Sequence, residues 1–539
     1  MMDDALVEAY LAELEALREH GRELASRYPD LAGQLDIGPR RSRDPHVERV
    51  VESSAFLAAR LRLLIESEAC ELPLAVLSIL APTLVEPVPS MAVVRFAQGR
   101  QRRKVTRGTR LDYCPGGDAL ACFATTMDAD LAPGSVEVER LESAGAMPDG
   151  LSLTFHGSDL PDPLVVHVAG AEGASAVVLS ALANDLAAVE VRRGGDRTIE
   201  GRPRSALRLR GFGADEAALP VRGNAHPAHR LAGELIAFPE KFRFFALEGL
   251  AIRSGDEVRL RFARRTDLAT PIPPGLFGLN FVPVVNLWGG PATPFEVSDR
   301  DVEYPIRPDA LRYRSVECHS VESVRLYGGE AKRGEELDRI AGFGHPRGTA
   351  VRWGARRNDT PAGAEVLVHF EGLGEEALRG THPVAAPTVL MSNRDLAAHV
   401  PAGAELTPIG GGGDWSARLA GAPSPYLPAL SGSRAMETLL GHLRAGLSSD
   451  TDPSWIRGYL ESFPGASRAG WIEAIEGVRT GAGAIVRQGC VVRAVTGLVR
   501  LDRERCRGVS HAVIGRVLRE VLESRRGLNE RPGVEVRVV

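Results

Sequence analysis

The first 90 residues constrain the fold most, because they encode two amphipathic helices that lead through a proline-rich elbow into a strand. The elbow is Glu86-Pro87-Val88-Pro89-Ser90, and strand-forming residues follow from Met91. Asp44 stands where a helix N-cap belongs and Pro45 occupies the first helical position of the second helix. The sequence therefore predicts helices over about 3–27 and 45–68, closed by prolines.

Each of these helices carries one apolar stripe at helical spacing. The stripes are Leu6, Tyr10, Leu14, Leu17, Leu24 and Tyr28 in the first helix, and Val47, Val50, Ala55, Ala58, Leu61, Leu64 and Ile65 in the second. Two such helices cannot bury both faces alone, so they need a third helix or a partner. The contact residues expected for a partner are Tyr10, Leu14, Leu17, Leu24, Val47, Val50 and Leu61.

The rest of the chain predicts an α+β multidomain protein. At 539 residues it is too long for a single core. Periodicity and turn residues divide it into a helical arm (1–90), a β-rich domain with an inserted helix (91–265), a second β-rich domain with a long loop over 270–310 (266–408), and a C-terminal α+β domain (409–539). The glycine run Gly410 to Gly413 reads as the linker before the last domain.

Charge and cysteine usage indicate a reduced, cytosolic protein. A net charge of −5 gives no general attraction to nucleic acid or acidic membranes. Six scattered cysteines lack metal or disulfide spacing, and no apolar run approaches the ~20 residues that span a bilayer. Arginines cluster over 100–110 and 192–210. Without interleaved aromatic residues, these clusters favour a solvated face or a protein interface over nucleic-acid binding.

No motif for catalysis or cofactor binding stands out. The chain has no phosphate-binding Gly-x-x-x-x-Gly-Lys-Ser/Thr and no Gly-x-Ser-x-Gly elbow. Cys318 and His319 are neighbours on a predicted strand, so they point to opposite faces and cannot form a nucleophile–base pair. We expect no enzyme activity, cofactor or metal. One alternative stays open, a cytosolic β-rich polysaccharide hydrolase with a helical oligomerisation arm, which would need two carboxylates in one cleft.

An ordered series of motifs over residues 1 to about 400 resembles the TssF family (also called VasA or ImpG), a baseplate subunit of the bacterial type VI secretion system. The series contains Tyr28-Pro29-Asp30-Leu31, Asp44-Pro45-His46-Val47, Pro87-Val88-Pro89-Ser90, Cys122-Phe123-Ala124-Thr125-Thr126, Gly211-Phe212-Gly213-Ala214-Asp215-Glu216, Phe238-Pro239-Glu240-Lys241-Phe242, Asn286-Leu287-Trp288, Ser320-Val321-Glu322 and Asn393-Arg394-Asp395. Beyond Gly410 the resemblance fades.

The resemblance implies a structural part of a contractile machine. Such subunits assemble two to one with TssG, so a second TssF copy is expected, and they bind TssK and TssE around the VgrG hub beneath the sheath. The expected location is the cytoplasm, in a baseplate docked at the inner-membrane complex. The motif residues expected to define the fold are Pro45, Pro89, Phe238, Pro239, Glu240, Lys241, Phe242, Asn286, Asn393, Arg394 and Asp395.

Lys241 has a specific expectation of its own. It is one of three lysines in an arginine-rich chain, which makes a Schiff-base role tempting. No apolar pocket or second cation is evident that would depress its pKa. We therefore expect a lysine at the surface or linked to Glu240, within a corner where Pro239 ends the preceding helix and Phe242 supplies core area.

Overall fold

The computed structural model describes most of the chain. The described residues are 4–34, 44–97, 99–141, 149–170, 172–194, 198–222, 225–265, 267, 272–273, 275–298, 300–309, 311–312, 315–328, 331–340, 351–360, 363–373, 383–410, 414–430, 432–447, 453–487, 490–506, 508–524 and 531–538. They form helices and many sheets, so the predicted α+β class is confirmed. A smaller unit combines 1–77 with 359–363 and 431–439, and a larger unit contains the remaining residues.

Nine α-helices occur among the described residues. They are α1 (Asp4–Arg27), α2 (Pro29–Gln34), α3 (Pro45–Leu80), α4 (Pro82–Val85), α5 (Glu172–Ser180), α6 (Pro227–Ala237), α7 (Gly432–Leu447), α8 (Ser454–Glu461) and α9 (His511–Glu523). The Asp44 carboxylate accepts a hydrogen bond from the backbone N–H of His46 at 2.8 Å, so the predicted start of the second helix is confirmed. That helix continues past the predicted end near 68 to Leu80, with Pro73 in its interior.

Most strands before residue 310 are short. They are β1 (Met91–Ala97), β2 (Arg103–Val105), β3 (Arg110–Tyr113), β4 (Ala121–Thr125), β5 (Ala129–Leu131), β6 (Gly134–Leu141), β7 (Gly150–Gly157), β8 (Leu164–Val168), β9 (Leu186–Arg192), β10 (Ile199–Arg202), β11 (Leu207–Leu209), β12 (Phe244–Leu247), β13 (Glu257–Phe262), β14 (Phe277–Gly278), β15 (Phe281–Val285), β16 (Trp288–Pro291), β17 (Phe295–Glu296) and β18 (Glu303–Pro305).

The remaining strands are longer on average. They are β19 (Glu317–Gly328), β20 (Ala331–Glu336), β21 (Asp338–Arg339), β22 (Arg352–Thr360), β23 (Gly363–Glu371), β24 (Val384–Ser392), β25 (Glu405–Pro408), β26 (Ser416–Leu419), β27 (Ile475–Arg487), β28 (Cys490–Leu501) and β29 (Arg531–Val538).

The larger unit contains a closed six-stranded barrel. Its strand order is β1-β15-β4-β3-β25-β26, and β26 closes on β1 through the pair Val94 and Leu419. Val94, Phe123 and Leu406 are among the side chains that fill its core. The barrel crosses the predicted boundaries at 266 and 409. The predicted linker Gly410 to Gly413, of which 411–413 lie outside the described residues, joins two paired barrel strands rather than two domains.

A second core lies between two antiparallel sheets. The sheets have the orders β10-β9-β13-β7-β6 and β11-β12-β8-β14, and α5 contributes Val178 and Leu179 to the same core. The inserted helix of this domain is predicted from the sequence over roughly 175–189, and it ends early: α5 stops at Ser180, a π-turn follows, and β9 begins at Leu186. The residues of β9 form a strand and not a helix because β9 pairs with β13 and β10. The β-branched valines of β9 are buried in that sheet.

The third sheet pair replaces much of the predicted long loop. Residues 270–310 contain β14 to β18, so the loop prediction is wrong for this segment. The sheets have the orders β16-β24-β19-β20 and β18-β23-β22-β21 and share one core that includes Trp288, Trp353 and Val368. β15 pairs with β1 and with β4 even though it contains Pro283, which lies opposite Val93. The ladder with β4 covers Val284 and Val285 and leaves out Pro283.

The C-terminal region combines a three-stranded sheet with α9. β27 pairs antiparallel with β28, and β28 pairs parallel with β29 after a crossover that contains α9. Val513, Val517 and Val521 lie on the buried face of α9. The sequence of the C-terminal domain predicts a helix near 453–476, and the observed helix is shorter: α8 ends at Glu461, and 3₁₀ turns over Ala466–Arg468 and Gly470–Ala474 lead into β27. Gly465 follows α8 and has a φ of +82°. This left-handed conformation is one that glycine adopts more readily than other residues.

Candidate assembly interface

Helices α1 and α3 pair with each other inside the smaller unit. The Tyr10 and Phe56 rings meet edge-on with centroids 6.5 Å apart, and Arg18 forms a 2.5 Å ion pair with Glu48. The partners on α3 descend as the residues on α1 ascend, so the helices run antiparallel. Leu14 is only 7% exposed. Leu14, one of the expected partner contacts, is therefore already buried by the chain itself.

The opposite side of α3 carries a row of exposed apolar side chains, which we call the α3 stripe. It consists of Val50, Leu57, Leu61, Leu64, Ile65 and Leu72, each 54–72% exposed. At about 100° per residue these six positions fall within an arc of about 100°. Ala55 and Ala59, which are fully buried, lie on the other side of the helix. An apolar stripe of this length on a solvent-facing helix is typical of a surface that another chain covers.

The structure divides the seven predicted contact residues into three groups. Val50, Leu61 and Leu24 are exposed, Tyr10, Leu17 and Val47 are half-buried, and Leu14 is buried. Sequence reasoning passed over Leu57 and Leu72. The signal for Leu57 is the seven-residue spacing of Val50, Leu57 and Leu64, which returns to the same face after two turns.

A second, shorter apolar stripe lies on α7. Met436, Leu440 and Leu443 follow each other at spacings of four and three, and each is 45–46% exposed. Ala435 and Thr438 on the same helix are buried. Helix α7 thus has one buried side and one apolar side open to solvent, as α3 does.

Lys241 occupies the interior, contrary to the expectation of a surface or Glu240-linked lysine. Its Nζ lies 2.5 Å from Glu234 Oε2 and donates a second hydrogen bond to the Gly211 carbonyl at 2.7 Å. Both Lys241 and Glu234 are 0% exposed. Glu240 is half-buried and instead lies 3.7 Å from Arg243. The lysine therefore connects two sequence motifs, the one around Gly211 and the one around Phe242.

Glu234 receives four donors, which explains how a carboxylate can be fully buried. Arg230 contacts its Oε2 at 2.8 Å, and the backbone N–H groups of Ala218 and Leu219 donate to its Oε1 at 2.8 and 3.0 Å. Burial alone would raise the pKa of Glu234, but the Lys241 and Arg230 cations hold it below its usual value. The Glu234 carboxylate already has four donors and is shielded from solvent. This ion pair therefore has a structural role and not a catalytic one.

Glu216 is a second buried carboxylate, and like Glu234 it is paired with an arginine and with backbone N–H groups. It pairs with Arg210 and accepts hydrogen bonds from the backbone N–H groups of Gly211 and Gly213 at 2.6 and 3.1 Å. Gly211 has a φ of +96°, and a Cβ there would lie 2.9 Å from the Lys241 carbonyl oxygen. The close approach of the two motifs thus depends on glycine at this position.

Two motif asparagines meet at the barrel wall. Asn393 Oδ1 accepts hydrogen bonds from the Cys122 N–H at 2.9 Å and from Asn286 Nδ2 at 2.8 Å, while Asn286 Oδ1 accepts one from the Asn393 N–H. Both asparagines are fully buried. Arg394 pairs with Glu317 at 3.0 Å, whereas Asp395 is exposed. Motifs that are about 110 to 270 residues apart therefore join β4 to the turns after β15 and β24.

The other motif residues lie in the helical arm and at the corner after α6. Pro45 opens α3 and Pro89 is buried in the elbow. Phe238 and Phe242 are buried, with Pro239 opening the 3₁₀ turn between them.

Cys318 and His319, which the sequence excludes as a nucleophile–base pair, both lie in the interior. Cys318 is buried, which raises the pKa of its thiol to about 12, and His319 Nε2 lies 3.0 Å from the Pro87 carbonyl oxygen. Among the described residues, no three His, Cys, Asp or Glu side chains are grouped closely enough to hold a metal. Within the same described region, no helix is long and apolar enough to cross a membrane.

The two arginine-rich segments are extensively ion-paired. In the first, Arg102 pairs with Asp130 and Lys104 with Asp128. In the second, Arg193 pairs with Asp256 at 2.7 Å and Arg208 with Glu248 at 2.7 Å. Carboxylates of the same chain therefore neutralise these cations. This arrangement agrees with a solvated face of strands and turns.

Comparison with known proteins matches this chain to components of the type VI secretion system. The family described as "Type VI secretion system, TssF" matches residues 2–530. A curated relative, "Type VI secretion system component TssF1" of Pseudomonas aeruginosa, is 26% identical over 463 residues, which are 75% of this chain and 73% of that protein.

Two solved structures share the fold. One is a chain of the type VI secretion system TssK-TssF-TssG baseplate subcomplex, with a TM-score of 0.70 and 22% identity over 91% of this chain and 96% of that chain. The other is a chain of the type VI baseplate complex, with a TM-score of 0.59 and 20% identity over 99% of this chain and 97% of that one. All four descriptions are of secretion-system components, and none is of an enzyme. The family match covers nearly the whole chain, and the chain therefore belongs to the TssF family of the type VI secretion system.

Proposed function

We propose that this chain is a structural wedge subunit of a type VI secretion baseplate and that it joins its partners through the α3 stripe. The α3 stripe is the observation that carries the proposal, because six large apolar side chains on one helix face need a cover in the assembled state. Family membership and the shared fold support the same role. The partners are a TssG-like chain, a second copy of this chain and a TssK-like chain.

The finer arrangement follows from the family and remains part of the proposal. The wedge contacts TssE, surrounds the VgrG hub and transmits the trigger for contraction to the sheath. It does so in the cytoplasm, at a baseplate docked on the inner-membrane complex. The chain needs neither catalysis nor a cofactor for this role. Within the described residues, no observation favours the alternative of a polysaccharide hydrolase.

Co-expression with the TssG-like chain tests the interface. In the double variant Leu61→Asp, Leu64→Asp, two carboxylates would be buried without partners in the complex, and each would cost several kcal/mol of association. Co-purification should be lost while the circular dichroism of the chain is unchanged. The matched control is Arg60→Asp, which places a carboxylate on an exposed position of the same helix outside the α3 stripe and should leave the complex intact.

Light scattering on the purified complex gives the stoichiometry. Two copies of this chain per TssG-like chain are expected. The proposal fails if the wild-type chain does not associate with the TssG-like chain, or if the double variant associates as tightly as the wild type.

A further inference from the structure

A half-open cavity of about 340 Å³ lies beside the buried ion pairs of the larger unit. Its walls come from α4, from the segment 208–222 and from the facing sides of α6 and α9. The volume falls at the lower end of the range of about 300–1,000 Å³ typical of ligand sites, which suits one or two side chains. Leu209, Phe212 and Leu231 supply apolar lining. The cavity thus offers both an apolar wall and polar groups.

One polar group in this cavity lacks a partner. Thr83 lines the wall and is 6% exposed, and its Oγ1 has no hydrogen-bond partner. A buried hydroxyl left unsatisfied costs about 1–3 kcal/mol, so native structures rarely retain one without a reason. An oxygen of a bound group could accept the hydrogen bond that Thr83 does not make in the free chain.

Arg516 on α9 is the cation available to a bound group. Its guanidinium carbon lies 4.0 Å from the centroid of the Phe212 ring, which fixes it at the cavity wall. Within the described residues, no carboxylate lies within 4.0 Å of it. The other lining arginines are engaged: Arg208 with Glu248, Arg222 with Glu86 and Glu322, and Arg230 with Glu234.

Two carboxylates also line the cavity, and they differ in whether a cation of the chain pairs with them. Glu216 is already neutralised by Arg210 and by two backbone N–H groups. Glu520 lies one turn after Arg516 on α9 and forms no ion pair within 4.0 Å among the described residues. Its charge opposes an anionic occupant and favours a cationic one. The effect of removing it therefore reports the sign of the charge that the cavity receives.

We infer that this cavity receives a carboxylate side chain flanked by an apolar residue, from an acidic segment of a partner chain in the assembly. Arg516 supplies the charge-assisted hydrogen bonds, Thr83 supplies a hydroxyl donor, and Leu209, Phe212 and Leu231 cover the apolar neighbour. The inference rests on the proposed function for the existence of a partner chain, and it adds a second contact site distinct from the α3 stripe.

Photo-crosslinking in the full complex tests the inference. The probe is p-benzoylphenylalanine placed at Val221, which lines the cavity and is 54% exposed, in the full chain co-expressed with the TssG-like and TssK-like chains. Mass spectrometry should identify a partner segment with Asp or Glu next to an apolar residue. The same probe at the exposed Val302 gives the background.

Substitutions of the cavity residues test the charge and the hydrogen bonding of the group that binds there. Arg516→Glu should lower the Val221 crosslink at least tenfold, whereas the control Arg519→Glu, an exposed arginine of the same helix, should not. Glu520→Gln should raise the crosslink yield. Thr83→Val should lower the yield without lowering the melting temperature of the isolated chain, since the lost hydroxyl is unpaired there.

Four results would overturn the inference. They are a Val221 crosslink no stronger than the Val302 background, a crosslinked segment without Asp or Glu, a yield insensitive to Arg516→Glu, and a yield that falls in Glu520→Gln, which would indicate a basic occupant. If the wild-type complex forms and any of these results appears, the cavity inference fails while the proposed function stands. If the complex does not form at all, the proposed function fails first.

Discussion

Lys241 Nζ and Glu234 Oε2 form a 2.5 Å ion pair in which both side chains are fully buried. Removing one partner of such a pair leaves an uncompensated charge, which costs about 3–5 kcal/mol. Lys241→Met should therefore lower the free energy of unfolding by this amount. Glu234→Gln should lower it further, because it leaves both Lys241 and Arg230 facing a neutral amide.

Urea denaturation followed by tryptophan fluorescence measures both variants. Lys241→Arg is not a neutral control, since a larger guanidinium must fit where the lysine is 0% exposed, and overpacking costs about 1–3 kcal/mol. Full stability of Lys241→Met would contradict the buried pair as a stabilising element.

Phe242 should behave as a core residue. It is fully buried beside the Phe212 ring, with centroids 5.0 Å apart. Phe242→Ala should lower the free energy of unfolding by about 3–5 kcal/mol, as large-to-small changes in a packed core do. Thermal unfolding provides the measurement, and Phe242→Leu should recover much of the loss because it keeps most of the buried volume.

Leu14 and Leu61 should separate folding from assembly. Leu14→Asp introduces a carboxylate at a position that is 7% exposed within the chain, so the helical unit itself should lose ellipticity. Leu61→Asp changes a residue that is 57% exposed, so the isolated chain should keep its spectrum and lose only its partner. Circular dichroism and size-exclusion chromatography with light scattering distinguish the two outcomes. Equal spectra for both variants would contradict this division.

His167 should make stability depend on pH. It lies between the Phe244 and Phe281 rings with neither ring nitrogen hydrogen-bonded, and burial lowers its pKa to about 3. The neutral imidazole is the form that the folded state tolerates. Its stability contribution is therefore complete above the unfolded-state pKa of 6.5 and is lost as the pH falls toward 3.

At pH 5.5, one unit below the unfolded-state value, this single histidine should reduce the free energy of unfolding by about 1.4 kcal/mol relative to pH 8. His167→Phe removes that share of the pH dependence, and urea midpoints at the two pH values measure it. An unchanged pH slope in the variant would show that His167 is not buried in its neutral form.

Local patterns predicted the helices better than the sheets. The cap at Asp44 gave a helix start that the structure confirms. The barrel could not be derived in this way, since β1 pairs with β15 and β26, which lie about 190 and 320 residues away along the chain. The strands of 270–310 were hidden because Pro283 and several glycines interrupt their apolar pattern.

The buried ion pair of Lys241 and Glu234 could not be predicted from the sequence for a related reason. Lys241 reads as a surface residue from its own neighbours, and its partner Glu234 lies seven residues earlier on α6 with Gly211 thirty residues away. Only the packing of two motifs brings these groups together. Likewise, the sequence showed that α1 and α3 have apolar positions, but not that Leu14 on α1 is buried within the chain while Val50 and Leu61 on α3 stay exposed.

Barrel closure by β26 has a consequence for synthesis. β1 ends at Ala97 and must wait for Ser416–Leu419 before both of its edges are paired. At about 5–20 residues per second, ribosomes need on the order of 15–60 s to deliver the intervening chain. Throughout that interval α1 and α3 have already emerged with the apolar face of α3 uncovered. The nascent helices are thus available to a partner or a chaperone well before the barrel can form.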